Sequence, residues 1–345
     1  VSHDAVVDSL GMWAATRSLP EQLVDALERT RDTEGLPPAE GIRSVVLLGM
    51  GGSGIAADVA AAVVGPDCPV PLVVSKQYEC PGFVGPDDLV VAVSFSGNTE
   101  ETIAAVHGAV GAGARLVVVS AGGHLERTAR EWGAGVVGVD PGIPMPRAAI
   151  GAMSVAVLSV LEQMGLAAGV SGQVDAAVGQ LRRRRDRLDA DPSPVRSLAR
   201  RIGRTLPIVY GGGALGEVAA NRWKAQFNEN PKVPSFANRI PELTHNEVCG
   251  WAQHGDVTRQ VFTLVLLRHD LEHLQVARRF ELVEELCDEV VGDVVGVRAE
   301  GDGPLAQLLD LVFVGDLLSL QLAADASVDP GPVPVLDDIK ARLAT

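Results

Sequence analysis

The apolar run Ser44–Leu48 breaks straight into Gly49-Met50-Gly51-Gly52-Ser53-Gly54, and an alanine- and valine-rich stretch follows from about Ile55 to Val64. Five consecutive apolar-compatible residues read as a buried strand and the longer Ala/Val stretch as a helix. The glycines between them let backbone N–H groups approach a ligand at the helix N-terminus. The alternation continues: Pro71–Ser75 and Leu89–Ser94 read as strands, Glu101–Ala112 as a helix, Arg115–Ser120 as a strand, His124–Trp132 as a helix and Gly135–Val139 as a strand. Strands separated by helices of this length predict an α/β fold with a parallel sheet flanked by helices on both faces. Only 4% of residues are aromatic, so Val, Leu, Ala and Ile must fill that core, as strands buried on both faces require.

From Arg147 to about Arg204 the strand signal disappears. Ala148–Met164 reads as a long apolar helix and Gln173–Leu188 as a polar one whose run Arg182, Arg183, Arg184, Arg185 and Arg187 is interleaved with Asp186 and Asp189, the pattern of a solvated helix face. The alternation then restarts, with strands at Leu206–Tyr210, Val261–Leu267 and Val291–Arg298, and helices at Gly216–Phe227, Glu272–Val290 and Leu305–Ala324; a proline-rich tail leads to a short final helix. This predicts two domains, 1–165 and 166–345, the second including the linker helix. The restart reads as an internal repeat. Setting Asp58-Val59-Ala60-Ala61 over Glu217-Val218-Ala219-Ala220 places Ser53 on Gly212, and the hydroxyl-rich run after Leu89–Ser94 has Arg268-His269-Asp270 as its counterpart. One phosphate site is therefore expected, not two.

A formal net charge of −15 over 345 residues argues against nucleic acid, which needs a basic footprint. No stretch reaches the ~18 uninterrupted apolar residues of a membrane span; Leu308–Ala324 is broken by Asp310 and Asp316 and reads as a core helix. Ser2, His3, Asp4 and Asp8 form no basic-then-apolar run, so no secretory signal is expected. Cys68, Cys80, Cys249 and Cys287 make no C-x-x-C pair and read as free thiols of a reducing cytoplasm. No metal-ligand pattern is visible.

Two clusters carry the chemistry. The first, Gly49–Gly54, also meets the spacing G-x-G-x-x-G, but the next strand ends in Ser75-Lys76 and not in the acidic residue that binds a ribose. It is not a Walker A loop, since no Lys-Ser/Thr follows the glycines. The second, Ser94-Phe95-Ser96-Gly97-Asn98-Thr99-Glu100-Glu101, lies at another strand end and opens another helix. A turn with a helix cap accounts for one or two of its polar residues. Three hydroxyls at a second strand end of one sheet, where open α/β folds bind ligands, point instead to a phosphate monoester held by neutral donors and helix dipoles.

Gly52-Ser53 followed by Ser94-Phe95-Ser96-Gly97-Asn98-Thr99-Glu100-Glu101-Thr102 resembles the sugar isomerase (SIS) domain. In the second half, Phe227-Asn228-Glu229-Asn230-Pro231-Lys232-Val233-Pro234 and Pro241-Glu242-Leu243-Thr244-His245-Asn246-Glu247-Val248-Cys249-Gly250-Trp251 resemble the bifunctional phosphoglucose/phosphomannose isomerases. The resemblance spans essentially the whole chain, including Pro146-Arg147 and Lys340. It implies two SIS-type, doubly wound, flavodoxin-like domains and aldose–ketose isomerisation of hexose 6-phosphates: glucose 6-phosphate to fructose 6-phosphate, with mannose 6-phosphate as a second aldose. That chemistry needs a carboxylate over C1–C2, an acid/base for ring opening and positive charge near the developing oxyanion; it needs no cofactor or metal.

By similarity, Glu229 is the base, His245 the ring opener, Arg147 the oxyanion stabiliser and Lys340 a group near the ring oxygen. Gly52, Ser53, Ser94, Ser96 and Thr99 hold the phosphate. The family further implies a homodimer in which His245 reaches the neighbouring subunit's site. Glu242 and Glu247 remain open as alternative bases, with Asn228 and Asn230 orienting Glu229. Another phosphosugar isomerase and a non-catalytic phosphosugar sensor remain open as alternative functions. Thr244 stands where many relatives carry Asn, and the tail Asp329-Pro330-Gly331-Pro332-Val333-Pro334 lacks a threonine associated in some relatives with accepting both epimers. His3, His107, His124, His254, His269 and His273 show no partner pattern and read as surface or capping residues.

Overall fold

A computed structural model describes residues 7–31 and 33–343; Ser2, His3 and Asp4 lie outside the described residues. The chain forms two compact units. The first comprises Arg17–Arg183 and Gly301–Leu309, the second Arg184–Glu300 and the chain from Asp310 onward, with the leading segment up to Thr16.

The first unit is built on five parallel strands, β1 (Ser44–Leu48), β2 (Leu72–Ser75), β3 (Asp88–Ser94), β4 (Arg115–Ser120) and β5 (Gly135–Gly138), in the order β2-β1-β3-β4-β5. Every residue of β1 and β3 is buried, because helices cover both faces and strands without a wet face carry no alternation. Helix Leu19–Arg29 packs on helix Ile150–Gln163 through Gly151, where an added Cβ would lie 2.6 Å from Leu19 Cδ1 and 2.7 Å from Leu23 Cδ1. Gln22 Nε2 also donates to the Ala148 carbonyl over 2.9 Å.

The second unit repeats the plan with β6 (Leu206–Gly212), β7 (Phe236–Ile240), β8 (Phe262–Arg268) and β9 (Asp293–Arg298), ordered β7-β6-β8-β9 and all parallel. The edge strand β7 escapes sequence reading because Phe-Ala-Asn-Arg-Ile shows neither a continuous apolar run nor clean alternation, and Phe236 faces solvent. Helix Ser193–Ile202 is likewise additional to the two helices expected between Arg147 and Arg204.

Helix Pro304–Asp325 is long and apolar enough to cross a membrane, but 94% of its most apolar window is buried. Its interrupting carboxylates are both paired: Asp310 accepts from Arg184 Nε over 2.8 Å, and Asp316 from Arg222 over 2.9 and 2.6 Å. Arg184 therefore corrects the expectation of a uniformly solvated basic face. It is largely buried and also pairs with Glu300 at 2.9 Å, while Arg187 reaches Glu300 at 2.8 Å. All four cysteines are free thiols.

Candidate active site

The glycine loop is shaped by close backbone approaches. Helix Gly51–Val64 begins on Gly51 at φ +52°, a conformation glycine adopts freely. A Cβ at position 54 would stand 2.9 Å from the Gly49 carbonyl oxygen, and one at position 52 would stand 2.9 Å from Arg147 N and Pro146 C. Gly52 thus admits the turn Pro146–Ala149 against the loop and brings Arg147, only 2% exposed, beside it. Lys76, at the end of β2, is taken by an ion pair with Asp58.

The hydroxyl loop meets the glycine loop directly. Ser53 Oγ, buried at 4% exposure, accepts the Phe95 N–H over 3.1 Å and lies 3.5 Å from Met153 sulfur. Fully buried Ser94 sits 3.0 Å, oxygen to oxygen, from the hydroxyl of Thr99. Thr99 is the N-cap of helix Glu100–Gly111 but makes no side-chain cap bond, so its hydroxyl is turned towards Ser94. Ser96 is exposed and accepts the Asn98 N–H over 3.2 Å. Gly52, Ser53, Ser94, Ser96, Thr99 and Arg147 are therefore gathered in one unit around two helix N-termini, an arrangement of N–H groups and positive dipole ends suited to an anion.

A third loop, not identified from sequence, braces this cradle. Ser120 Oγ lies 2.7 Å from the Ser94 carbonyl and 2.8 Å from that of Gly122. Leu125 N donates to the Gly97 carbonyl over 2.8 Å, and His124 N to Asn98 Oδ1 over 3.0 Å. A Cβ on Gly97 would fall 1.9 Å from the Gly122 carbonyl oxygen, and one on Gly123 2.1 Å from that of Ser96. The available signal was Ser120-Ala121-Gly122-Gly123 at a third strand end of the same sheet.

The second unit keeps the cradle's backbone but not its hydroxyls. Gly211 and Gly216 approach each other as Gly49 and Gly54 do, and helix Gly213–Glu229 starts on Gly213 at φ +59°. These landmarks set Gly51 over Gly213 and Ser53 over Leu215, three residues from the register expected with Gly212. An alanine-rich helix shifted by about one turn keeps its apolar face, which is why side-chain matching slipped. Pairing of Asp88 with Ser44 and of Phe262 with Leu206 sets Ser94 over Arg268.

With Leu215 in the serine's place, Glu272 supplies the missing acceptor. Its side chain, 4% exposed, takes the His269 N–H over 2.9 Å and the Arg268 guanidinium over 2.8 to 3.0 Å. His269 is a correction: it is buried and not a surface residue. Its Nδ1 accepts from Leu271 N over 3.2 Å, so Nε2 carries the proton and donates to the Gly212 carbonyl over 2.9 Å. His273, by contrast, caps helix Leu274–Cys287, its Nδ1 accepting from Gln275 N over 3.1 Å.

Glu229, His245 and Lys340 stand on three separate elements of this second unit. Half-buried Glu229 is the last residue of helix Gly213–Glu229, and its carbonyl accepts from Lys232 Nζ over 2.5 Å. Asn230 is fully buried and donates to Ser319 Oγ over 2.8 Å, fixing the helix end against helix Pro304–Asp325. His245 is exposed at the end of the turn Glu242–His245, and Lys340 is exposed on helix Pro334–Leu343. Glu247 is committed elsewhere, accepting from the Tyr210 hydroxyl and from Asn238 Nδ2, the latter over 2.5 Å.

Along its whole length the chain is similar to the bifunctional phosphoglucose/phosphomannose isomerase of Caldicellulosiruptor bescii, with 34% identity covering 96% of this chain and 99% of the relative. The protein belongs to that family. The relative of the same name from Aquifex aeolicus is 32% identical over 87% of this chain and 90% of its own. Residues 192–343 match the bacterial phospho-glucose isomerase C-terminal SIS domain. The fold is also that of the C-terminal domain of a glucosamine-fructose-6-phosphate aminotransferase from Francisella tularensis, with a TM-score of 0.73 and 12% identity, covering 96% of this chain and all of that one. These matches bear out the expected α/β architecture of two SIS-type halves.

Proposed function

We propose that this protein is an aldose–ketose isomerase of hexose 6-phosphates, interconverting glucose 6-phosphate and fructose 6-phosphate and accepting mannose 6-phosphate as a second aldose. The observation that carries the reading is the meeting of Ser53, Ser94 and Thr99 at one pair of helix N-termini. A dianionic monoester fits there, because hydroxyl and N–H donors satisfy its oxygens and the helix dipoles offset its charge. The family of the whole-length relatives supplies the sugar.

In this reading residues 1–165 hold the phosphate through Gly52, Ser53, Ser94, Ser96 and Thr99, and residues 166–345 supply Glu229, His245 and Lys340. His245 opens the ring, with Lys340 near the ring oxygen. Glu229 takes the C2 proton of the open-chain aldose and returns it to C1, the O2 hydroxyl proton passes to O1, and Arg147 stabilises the oxyanion of the enediolate between the two carbon transfers. The enzyme works as a cytoplasmic homodimer in which His245 serves the neighbouring subunit. Support for this comes from the exposure of His245 and of Val335, Leu336, Ile339 and Leu343 on helix Pro334–Leu343, and from four free thiols.

The test is incubation with glucose 6-phosphate and with mannose 6-phosphate in EDTA, assaying fructose 6-phosphate. Product is expected from both, and Glu229→Gln is expected to abolish turnover while leaving inorganic phosphate affinity intact. Absence of product from either sugar, or parental turnover by Glu229→Gln, overturns the reading.

A further inference from the structure

The segment that presents His245 has little regular structure to hold it. It consists of two short 3-10 turns, Glu242–His245 and Glu247–Ala252. Turns of this kind have poor hydrogen-bond geometry and rarely persist on their own. Their position must come from tertiary ties: Leu243 is buried in the core of this unit, and two of the polar ties end on the Glu247 carboxylate.

The Glu247 carboxylate accepts from the hydroxyl of Tyr210 and from Asn238 Nδ2, the latter over 2.5 Å. Tyr210 is fully buried on β6, a strand paired on both sides, and Asn238 lies on its neighbour β7. Trp251, within the second turn, donates its Nε1–H to the same Tyr210 oxygen over 3.2 Å. Asn246, directly after His245, accepts the Glu247 N–H over 2.5 Å and donates to Glu242 over 3.1 Å. A side tie runs from Arg279 to the hydroxyl of Thr244 over 3.0 Å. Burial and the adjacent carboxylate push the Tyr210 hydroxyl far above its ordinary range, which keeps it a donor at any working pH.

We propose that Glu247 is a positioning residue for His245: its carboxylate transmits the rigid register of β6 and β7, through Tyr210 and Asn238, to the turn that carries the imidazole. This rests on His245 being the ring-opening group. Each oxygen of Glu247 already accepts one hydrogen bond, from Tyr210 and from Asn238, which suits a residue that holds the turn. A misplacement of about 1 Å at a catalytic group costs on the order of 100-fold in rate, so loosening this turn should appear in ring opening before it appears in binding.

The experiment reads ring opening by itself, as enzyme-catalysed exchange between the anomers of fructose 6-phosphate measured by NMR exchange spectroscopy. Isomerisation kinetics and inorganic phosphate affinity are measured on the same samples. Glu247→Ala is expected to slow anomer exchange about 10- to 100-fold and to lower kcat in step, with phosphate affinity and KM within about twofold. Glu247→Gln keeps an acceptor for Tyr210 and should recover most of the loss. Tyr210→Phe, which keeps the ring volume and so preserves folding if Glu247→Ala does not, should show the same loss in exchange. A purely structural role would reduce the folded fraction without changing exchange per folded molecule. Parental protein that catalyses no exchange defeats the ring-opening reading of His245. Parental protein that does, with Glu247→Ala and Tyr210→Phe exchanging within twofold of it, overturns the Glu247 proposal alone.

Discussion

Gly51 and Gly97 lie in the two facing loops of the proposed phosphate cradle with nearly the same backbone, φ +52° and +63°, but different surroundings. A Cβ on Gly51 would meet nothing within 4 Å, whereas one on Gly97 would fall 1.9 Å from the Gly122 carbonyl oxygen and 2.9 Å from its carbon. Substitution by alanine therefore separates two costs that usually arrive together. Gly51→Ala should bear only the left-handed conformational penalty, about 1–2 kcal/mol. Gly97→Ala bears that and must also push apart two backbone segments, an overpacking cost of about 1–3 kcal/mol more. The measurement is native-state hydrogen exchange at the amides of β3 and β4, which report on the unit containing both loops. The expected gap between the two variants corresponds to roughly 5- to 150-fold in exchange protection. Because Gly97→Ala also displaces the segment bearing Ser96 and Thr99, inorganic phosphate affinity should fall further in it than in Gly51→Ala. Variants differing by less than about 0.5 kcal/mol would refute the claim that the Gly97–Gly122 approach holds the cradle, since overpacking is expected to cost more than that.

Asp316→Ala leaves the buried Arg222 guanidinium without its bidentate partner and should destabilise the second unit by about 3–5 kcal/mol in a urea titration followed by Trp223 fluorescence; replacing the pair by Met and Leu together should recover most of this. Glu272→Ala strips the acceptor from both the His269 N–H and the Arg268 guanidinium, with an expected loss of about 2–3 kcal/mol in protection of the β8 amides, less than a fully buried pair because Arg268 is partly solvated. Asp293 is held below the ordinary carboxylate range, first by its hydrogen bond from Arg201. Its folded value being the lower one, the stabilisation is complete above the ordinary carboxylate pKa and is lost as pH falls through the folded value. Asp293→Asn should therefore flatten the acid limb of stability below about pH 4, by less than about 1 kcal/mol for so exposed a pair.

The sequence by itself determined the alternation of buried strands and helices, the repetition of that plan in the second half, and the two loops that meet at the cradle. These features are legible because they are local: hydropathy period, glycine at strand ends and hydroxyls before a helix are written within a few residues of one another. Tertiary structure alone decided what those residues touch. It revealed Ser120 and Gly122–Gly123 bracing the hydroxyl loop from a third strand end, and Arg184 buried on Asp310 in place of a solvated face. It made His269 a core residue, set the repeat register by backbone contact, and assigned the second cradle's acceptor to Glu272. It also tied Glu247 to Tyr210 and Asn238 on neighbouring strands. Each depends on partners brought together from distant parts of the chain, and the cost of burying a charge or hydroxyl is offset by such a partner.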